Sequence, residues 1–146
     1  MAHVVGIDAK MYYDASGVGG SSWSELANVR DVTVSLEKAE IDVSNRAYGG
    51  WRANAGALKD ATIEWDMIYD TTDAGFTAIR DAWLNDTVIG LAIMDQNITT
   101  VGAQGLHADC EIMSFSQPQP MEDAIKVNVR AKPTYSSTDP SWSTTT

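Results

Sequence analysis

The chain has 146 residues, of which 44% are hydrophobic and 21% are charged. This length and composition are typical of a single globular domain with a sizeable core. The formal net charge of −10 argues against a nucleic-acid binder, because phosphate binding needs clustered Lys and Arg. An acidic surface repels DNA. This excludes a protein that binds DNA tightly, but it does not exclude a channel through which DNA passes.

No apolar run approaches the roughly 20 residues that a membrane-spanning helix needs. The N-terminus lacks the basic region and apolar stretch of a secretion signal. Cys110 is the only cysteine, so we expect no intrachain disulfide and folding in a reducing cytoplasm.

The first half of the chain alternates apolar and polar residues with the period of β-strands. We predict strands at Ile7–Tyr13, Val29–Leu36 and Lys38–Ser44. The second strand has Val32, Val34 and Leu36 on its apolar face, and the third has Ala39, Ile41 and Val43.

A long loop, Asp42 to Asp60, is predicted next. It is rich in Gly and aromatic and basic residues inside an otherwise acidic chain. Loops of this length are usually functional or disordered, and a disordered loop seldom carries Tyr48, Trp51 and Leu58. Three interpretations stay open: an interface hot spot, since Trp, Tyr and Arg are enriched there; a plug formed by Trp51 on the edge of its own core; and a sugar-stacking site of a carbohydrate-binding β-sandwich.

The second half predicts four more strands and one helix. The segment 61–69 places Ile63 and Trp65 on one face and Glu64 and Asp66 on the other. Further strands are expected at 89–95, 106–115 and 124–132. Spacings of three and four between Phe76, Ile79 and Trp83 predict a helix over about 72–85, capped by Thr72 and ended by Asn85.

The predicted fold is mainly β with one α-helix. Several strands separated by turns indicate a sandwich or barrel, and the helix is expected to cover one face of the sheets. The segment 133–146, rich in Ser, Thr and Pro, predicts an extended C-terminal arm that carries Trp142.

No arrangement of residues predicts catalysis, a metal site or a cofactor. His3 and His107 are far apart in sequence, and no phosphate-binding glycine loop is present. Cys110 alternates with apolar neighbours and is expected to be a small buried residue. The pairs Glu64 and Asp66, and Asp109 and Glu111, are more simply read as solvated strand faces than as acid–base pairs.

The segment 28–53 resembles phage major tail proteins, the subunits of tail tubes. The residues that carry this resemblance are Asp31-Val32, Glu37-Lys38-Ala39-Glu40, Asp42, Ser44, Arg46 and Gly50-Trp51-Arg52. It continues through Asp73-Ala74-Gly75-Phe76, Ile89-Gly90-Leu91-Ala92, Gly105-Leu106-His107-Ala108-Asp109 and Ala131-Lys132-Pro133-Thr134-Tyr135. The resemblance therefore covers nearly all of one domain, residues 1–146.

The resemblance implies two packed antiparallel sheets flanked by a helix. It also implies hexameric rings that stack into a hollow tube in the virion tail, through which DNA passes from capsid to host. Tape-measure, tail terminator, sheath and baseplate proteins are the partners it suggests. Tube proteins of contractile injection machines and type VI secretion are related, and both remain alternatives.

Within such a tube, the loop 42–60 is expected to dock on the next ring. The residues assigned to this contact are Arg46, Tyr48, Trp51, Arg52 and Leu58. Acidic side chains are expected to line the lumen, where like charge keeps DNA from sticking. The candidates for the lumen are Glu64, Asp66, Asp109 and Glu111.

Overall fold

The computed structural model describes residues 6–20 and 22–146, and in them it contains eight strands and one α-helix. Short 3-10 helices lie at Gly6–Asp8, Val18–Gly20 and Arg46–Tyr48. The prediction of a mainly β chain with one helix is confirmed. The elements are β1 (Lys10–Asp14), β2 (Ser24–Glu25), β3 (Val29–Asp42), β4 (Asn54–Ile68), α1 (Ala74–Leu84), β5 (Ile89–Met94), β6 (Gln104–Ser116), β7 (Lys126–Pro133) and β8 (Ser141–Thr144).

All the strand pairs are antiparallel and form one continuous sheet in the order β2-β1-β5-β6-β7-β4-β3, with β8 also paired to β6. In the described part of the chain, β2 and β3 do not pair with each other, so the sheet is not closed into a barrel. One buried core contains residues from both halves of this path: Met11 and Leu91 come from β1 and β5, and Ile63 and Val127 come from β4 and β7. The sheet is therefore sandwich-like, as expected.

Strand β6 belongs to both layers of this sandwich. Residues 105–110 pair with β5, whereas residues 110–116 pair with β7 on the other side of the strand. One layer, here called the four-strand layer, consists of β3, β4, β7 and residues 111–116 of β6. The other layer contains β2, β1, β5, the first half of β6 and β8.

Helix α1 packs against this core through Phe76 and Ile79, which are both buried. Phe76 makes edge-to-face contacts with Tyr69 and Phe115. The N-cap is Asp73 rather than the predicted Thr72, because the Asp73 carboxylate accepts a hydrogen bond from the N–H of Phe76 at 3.2 Å. The helix ends at Asn85 as predicted.

Four predicted boundaries differ from the structure. The first strand begins at Lys10, and the two strands predicted over 29–44 form the single strand β3. The predicted loop 42–60 is shorter, because residues 54–60 belong to β4 and their backbone groups pair with β3. Their Ala- and Gly-rich composition concealed this strand, since neither residue favours β structure. The predicted arm 133–146 also ends in a strand, β8, which pairs with β6.

Candidate assembly surfaces

A long hairpin projects from the four-strand layer. Strand β7 pairs with β4 only between Ile63 and Ile68, whereas β4 continues back to Asn54 beside β3 alone. The six residue steps from Asp60 back to Asn54 correspond to a projection of about 20 Å at 3.3 Å per residue. This projecting hairpin contains residues 37–60.

The tip of the hairpin, residues 43–53, is folded by local hydrogen bonds. The Asn45 side chain accepts a hydrogen bond from the N–H of Ala47 at 2.8 Å and caps the short 3-10 helix. Gly49 and Gly50 have φ of 66° and 84°, a conformation that glycine adopts without steric penalty. The Ser44 hydroxyl accepts a hydrogen bond from the N–H of Ala53 at 2.6 Å and closes the loop.

The predicted docking residues are displayed on this hairpin. Trp51 is 82% exposed and Leu58 is 85% exposed, and Arg46 and Arg52 are also exposed. The side chain of Tyr48 lies outside the part that the structure describes. The interpretation of Trp51 as a plug on its own core is wrong, because the indole remains in solvent.

The four-strand layer has one acidic face. Strand alternation buries residues such as Ile63, Trp65 and Val127 and turns their neighbours to the opposite side. This opposite side, here called the acidic face, carries six acidic and two basic side chains. Its residues are Asp31, Thr33, Ser35 and Glu37 of β3; Asp60, Thr62, Glu64 and Asp66 of β4; Asn128, Arg130 and Lys132 of β7; and Glu111, Ser114 and Ser116 of β6.

Three of the four predicted acidic residues lie together on this face. Glu64 is opposite Arg130, Asp66 is opposite Asn128, and Glu111 is opposite Lys132. The Asp66 carboxylate accepts a hydrogen bond from the N–H of Asp31 at 3.1 Å. The Lys132 ammonium donates to Asp60 at 2.9 Å, which lowers the pKa of the Asp60 carboxyl.

Asp109 does not belong to this set. It is only 5% exposed, and its carboxylate accepts hydrogen bonds from the N–H of Val18 at 2.7 Å and the hydroxyl of Ser136 at 2.6 Å. The prediction of Asp109 as a surface charge is therefore wrong. Strand alternation cannot reveal a cover made by segments that lie far away in sequence.

The four-strand layer ends in two free edges. Among the described residues, β3 pairs only with β4, and residues 111–116 of β6 pair only with β7. Unpaired N–H and C=O groups along such edges are templates for pairing with another chain. The sequence showed the strands but not which of them would be edges.

Burial shifts the pKa of two titratable side chains of the interior, Cys110 and His107. Burial, with the nearby Asp109 carboxylate as a smaller cause, raises the pKa of the Cys110 thiol to about 12. Burial also lowers the pKa of His107. Within residues 6–20 and 22–146, no three His, Cys, Asp or Glu side chains are placed to hold a metal ion; His3 lies outside these residues. In the same ranges, no helix has the length and apolar character needed to cross a membrane.

A family model described as "Phage tail tube protein" matches residues 10–133. The chain belongs to the phage tail tube protein family. Phage tail tube proteins are structural components of virion tails, and the family is not one of enzymes. Because the chain belongs to this family, we interpret it as a tail tube subunit and not as a carbohydrate-binding module.

Solved structures of other tube proteins share the fold of this tail tube protein. A protein from the tail of an empty gene transfer agent (GTA) particle, obtained by helical refinement with C6 symmetry, is 19% identical with a TM-score of 0.74; the match covers 99% of this chain and 100% of that one. The SPP1 tail tube protein is 14% identical with a TM-score of 0.71, over 89% of this chain and 75% of that one.

A third structure extends the likeness of the fold to another kind of particle. A chain of the anti-feeding prophage baseplate is 6% identical with a TM-score of 0.63, and the match covers 99% of this chain and 97% of that one. Among curated proteins, none matches the sequence significantly.

Proposed function

We propose that this tail tube protein forms hexameric rings, and that the rings stack into a hollow tube through which DNA leaves the capsid. The observation that carries the proposal is the four-strand layer, which combines two free edges, a buried apolar face and an exposed acidic face. The C6 symmetry of the similar GTA tail supports six subunits in each ring.

Ring closure follows from the directions of the strands. The order β3-β4-β7-β6 is antiparallel throughout, so β3 and β6 at the two edges run in opposite directions. Rotation about the ring axis keeps these directions, so β3 of one copy meets residues 111–116 of the next copy as an antiparallel partner. Each of these joints removes two unpaired edges from solvent.

The size of the ring suits the passage of DNA. Six four-strand layers give a barrel of about 24 strands, and a spacing of about 4.8 Å with a tilt near 40° gives about 45–50 Å between opposite backbones. This width leaves room for duplex DNA after side chains are added.

The acidic face is the surface that we assign to the lumen. Glu64, Asp66 and Glu111 belong to it, and the six acidic and two basic side chains give about −24 for each ring of six. The buried side of the layer is apolar and cannot face water. Like charge then keeps DNA mobile during passage.

The projecting hairpin is the element that we assign to ring stacking. Stacking needs a head-to-tail contact between different surfaces, repeated along the axis without closure. The hairpin projects about 20 Å and displays Arg46, Trp51, Arg52 and Leu58, and we assign Tyr48 of the tip to the same contact. We further propose tape-measure, tail terminator, sheath and baseplate proteins as partners, and synthesis in the host cytoplasm before incorporation into the virion tail.

Hydrogen exchange and electron microscopy together test the proposal. The purified protein is concentrated and imaged by negative stain, and amide exchange is compared between monomers and assembled particles. Rings with an open channel are expected, with new protection in β3 and in residues 111–116 of β6. The interior strand segment 63–68 of β4 is the control, because it is paired on both sides in the monomer. Assemblies in which both edges still exchange freely would contradict the edge-to-edge ring.

A further inference from the structure

The apolar residues of β3 change sides along the strand. The strand is continuous from Val29 to Asp42, and from Val32 onward it carries no inserted residue, since the irregularity near Lys38 adds its extra residue to β4. Successive side chains of a strand point to opposite faces. The even-numbered set Val32, Val34 and Leu36 therefore faces the core side, whereas the odd-numbered set Ala39, Ile41 and Val43 faces the side of the acidic face.

Strand β4 makes the same change by means of its bulge. Lys38 pairs with Lys59, but Glu40 pairs with Gly56, so one extra residue lies in the segment 57–58. A bulge of this kind shifts the alternation by one residue. Beyond it, Ala55 pairs with Ile41, and the N–H of Val43 donates to the carbonyl of Ala53. The projecting hairpin thus has an apolar hairpin face formed by Ile41, Val43, Ala53 and Ala55.

The described part of the chain leaves this apolar hairpin face open. Ile41 is 50% exposed and Val43 is 46% exposed. In this part of the hairpin the two strands pair only with each other among the described residues, so no third strand covers these side chains. An isolated two-stranded hairpin is marginally stable in water, and apolar side chains on its surface favour a covering partner.

Charge identifies the chemistry of that partner. Residues 43–59 contain Arg46, Arg52 and Lys59 and no acidic residue, whereas the whole chain has a net charge of −10. A basic tip next to an apolar strip is complementary to an acidic protein surface. A second copy of this chain is such a surface, and it is present at high local concentration in any assembly.

We infer that the apolar hairpin face is the surface by which one copy docks on a second copy in the adjacent ring. This inference rests on the proposed function and adds which side of the hairpin is covered. Because the apolar hairpin face continues the acidic face, the covering copy lies on the channel side of the hairpin. The hairpin then lies behind the wall of the neighbouring ring, and the channel keeps a polar lining at the ring junction.

Cysteine footprinting separates the two faces of the hairpin. Ile41→Cys and Asp42→Cys are neighbours on opposite faces, and Cys110 is fully buried, so the introduced thiol is the one that a maleimide reagent labels. Ala55→Cys and Asn54→Cys repeat the comparison on β4. Labelling rates are measured for each variant as monomer and after assembly.

On assembly, labelling at positions 41 and 55 should slow by about tenfold or more, as for groups removed from solvent, whereas positions 42 and 54 should change much less. Assembled tubes that protect all four positions equally, or only 42 and 54, would overturn the docking face and leave the proposed function intact. A wild-type chain that stays monomeric under every condition would overturn both.

Discussion

Replacing Trp51 with Ala should weaken ring stacking while leaving the monomer almost unchanged. The side chain is 82% exposed, and a substitution at such a surface position usually changes the free energy of unfolding by no more than about 0.5 kcal/mol. For a chain of this length the melting temperature should then shift by about 2 °C or less.

The expected effect on assembly is much larger. A Trp side chain buries about 150–250 Å² when it is covered, so about 120–200 Å² remain available at Trp51, worth up to about 3–5 kcal/mol at 25 cal/mol per Å². Loss of an aromatic hot spot typically costs about 2 kcal/mol or more. A loss of 2 kcal/mol corresponds to about a thirtyfold rise in the critical concentration for assembly.

Sedimentation of assembled material against protein concentration measures that critical concentration, and calorimetry measures the melting temperature of the monomer. Tyr135→Ala provides a matched control, because Tyr135 is 96% exposed and does not belong to the hairpin but to the segment after β7. The reasoning would be refuted if Trp51→Ala lowered the monomer melting temperature strongly and left assembly at its wild-type concentration.

Three further predictions concern the body of the domain. Asp109→Asn should lower the free energy of unfolding by about 1–3 kcal/mol, because a buried acceptor of two hydrogen bonds is altered. It should also make residues 134–140 sensitive to limited proteolysis. The control Asp139→Asn, at an exposed position, should change neither property. Cys110, with its pKa near 12, should react with a thiol reagent at neutral pH only as fast as the chain unfolds, so labelling in the native state at the rate of a free thiol would contradict its burial. Burial lowers the pKa of His107, so the unfolded state binds the imidazole proton more readily than the folded state, and the free energy of unfolding decreases as the pH falls below about 6.5. The melting temperature of His107→Gln should therefore decrease less than that of wild type between pH 6.5 and 5. Equal decreases in the two proteins would contradict this prediction.

The sequence predicted the elements of the core better than their connections. The alternation of Ile63 and Trp65 and the helical spacing of Phe76 and Ile79 come from residues that bury one face, and each lies where expected. Residues 54–60 were missed because Ala and Gly carry little pattern, and only pairing with β3 reveals a strand there.

The candidate surfaces were predictable to different degrees. Polar residues that alternate along one strand, such as Glu64 and Asp66, could be placed on a common face from their spacing. Asp109 could not be assigned, since Val18 and Ser136 cover it through tertiary contacts. The change of face in β3 was visible as two alternating runs, but their meaning required the knowledge that they form one unbroken strand.

The way the hairpin is held has a mechanical consequence for a tube of the proposed kind. Inside each ring, every strand of the wall would be bonded along both sides, which makes the wall stiff in circumference and fixes the bore. Between rings, the link would be a narrow ribbon of two strands with small side chains and glycines in its turn. Bending would therefore concentrate at the junctions between rings, and the tail could curve without narrowing its channel.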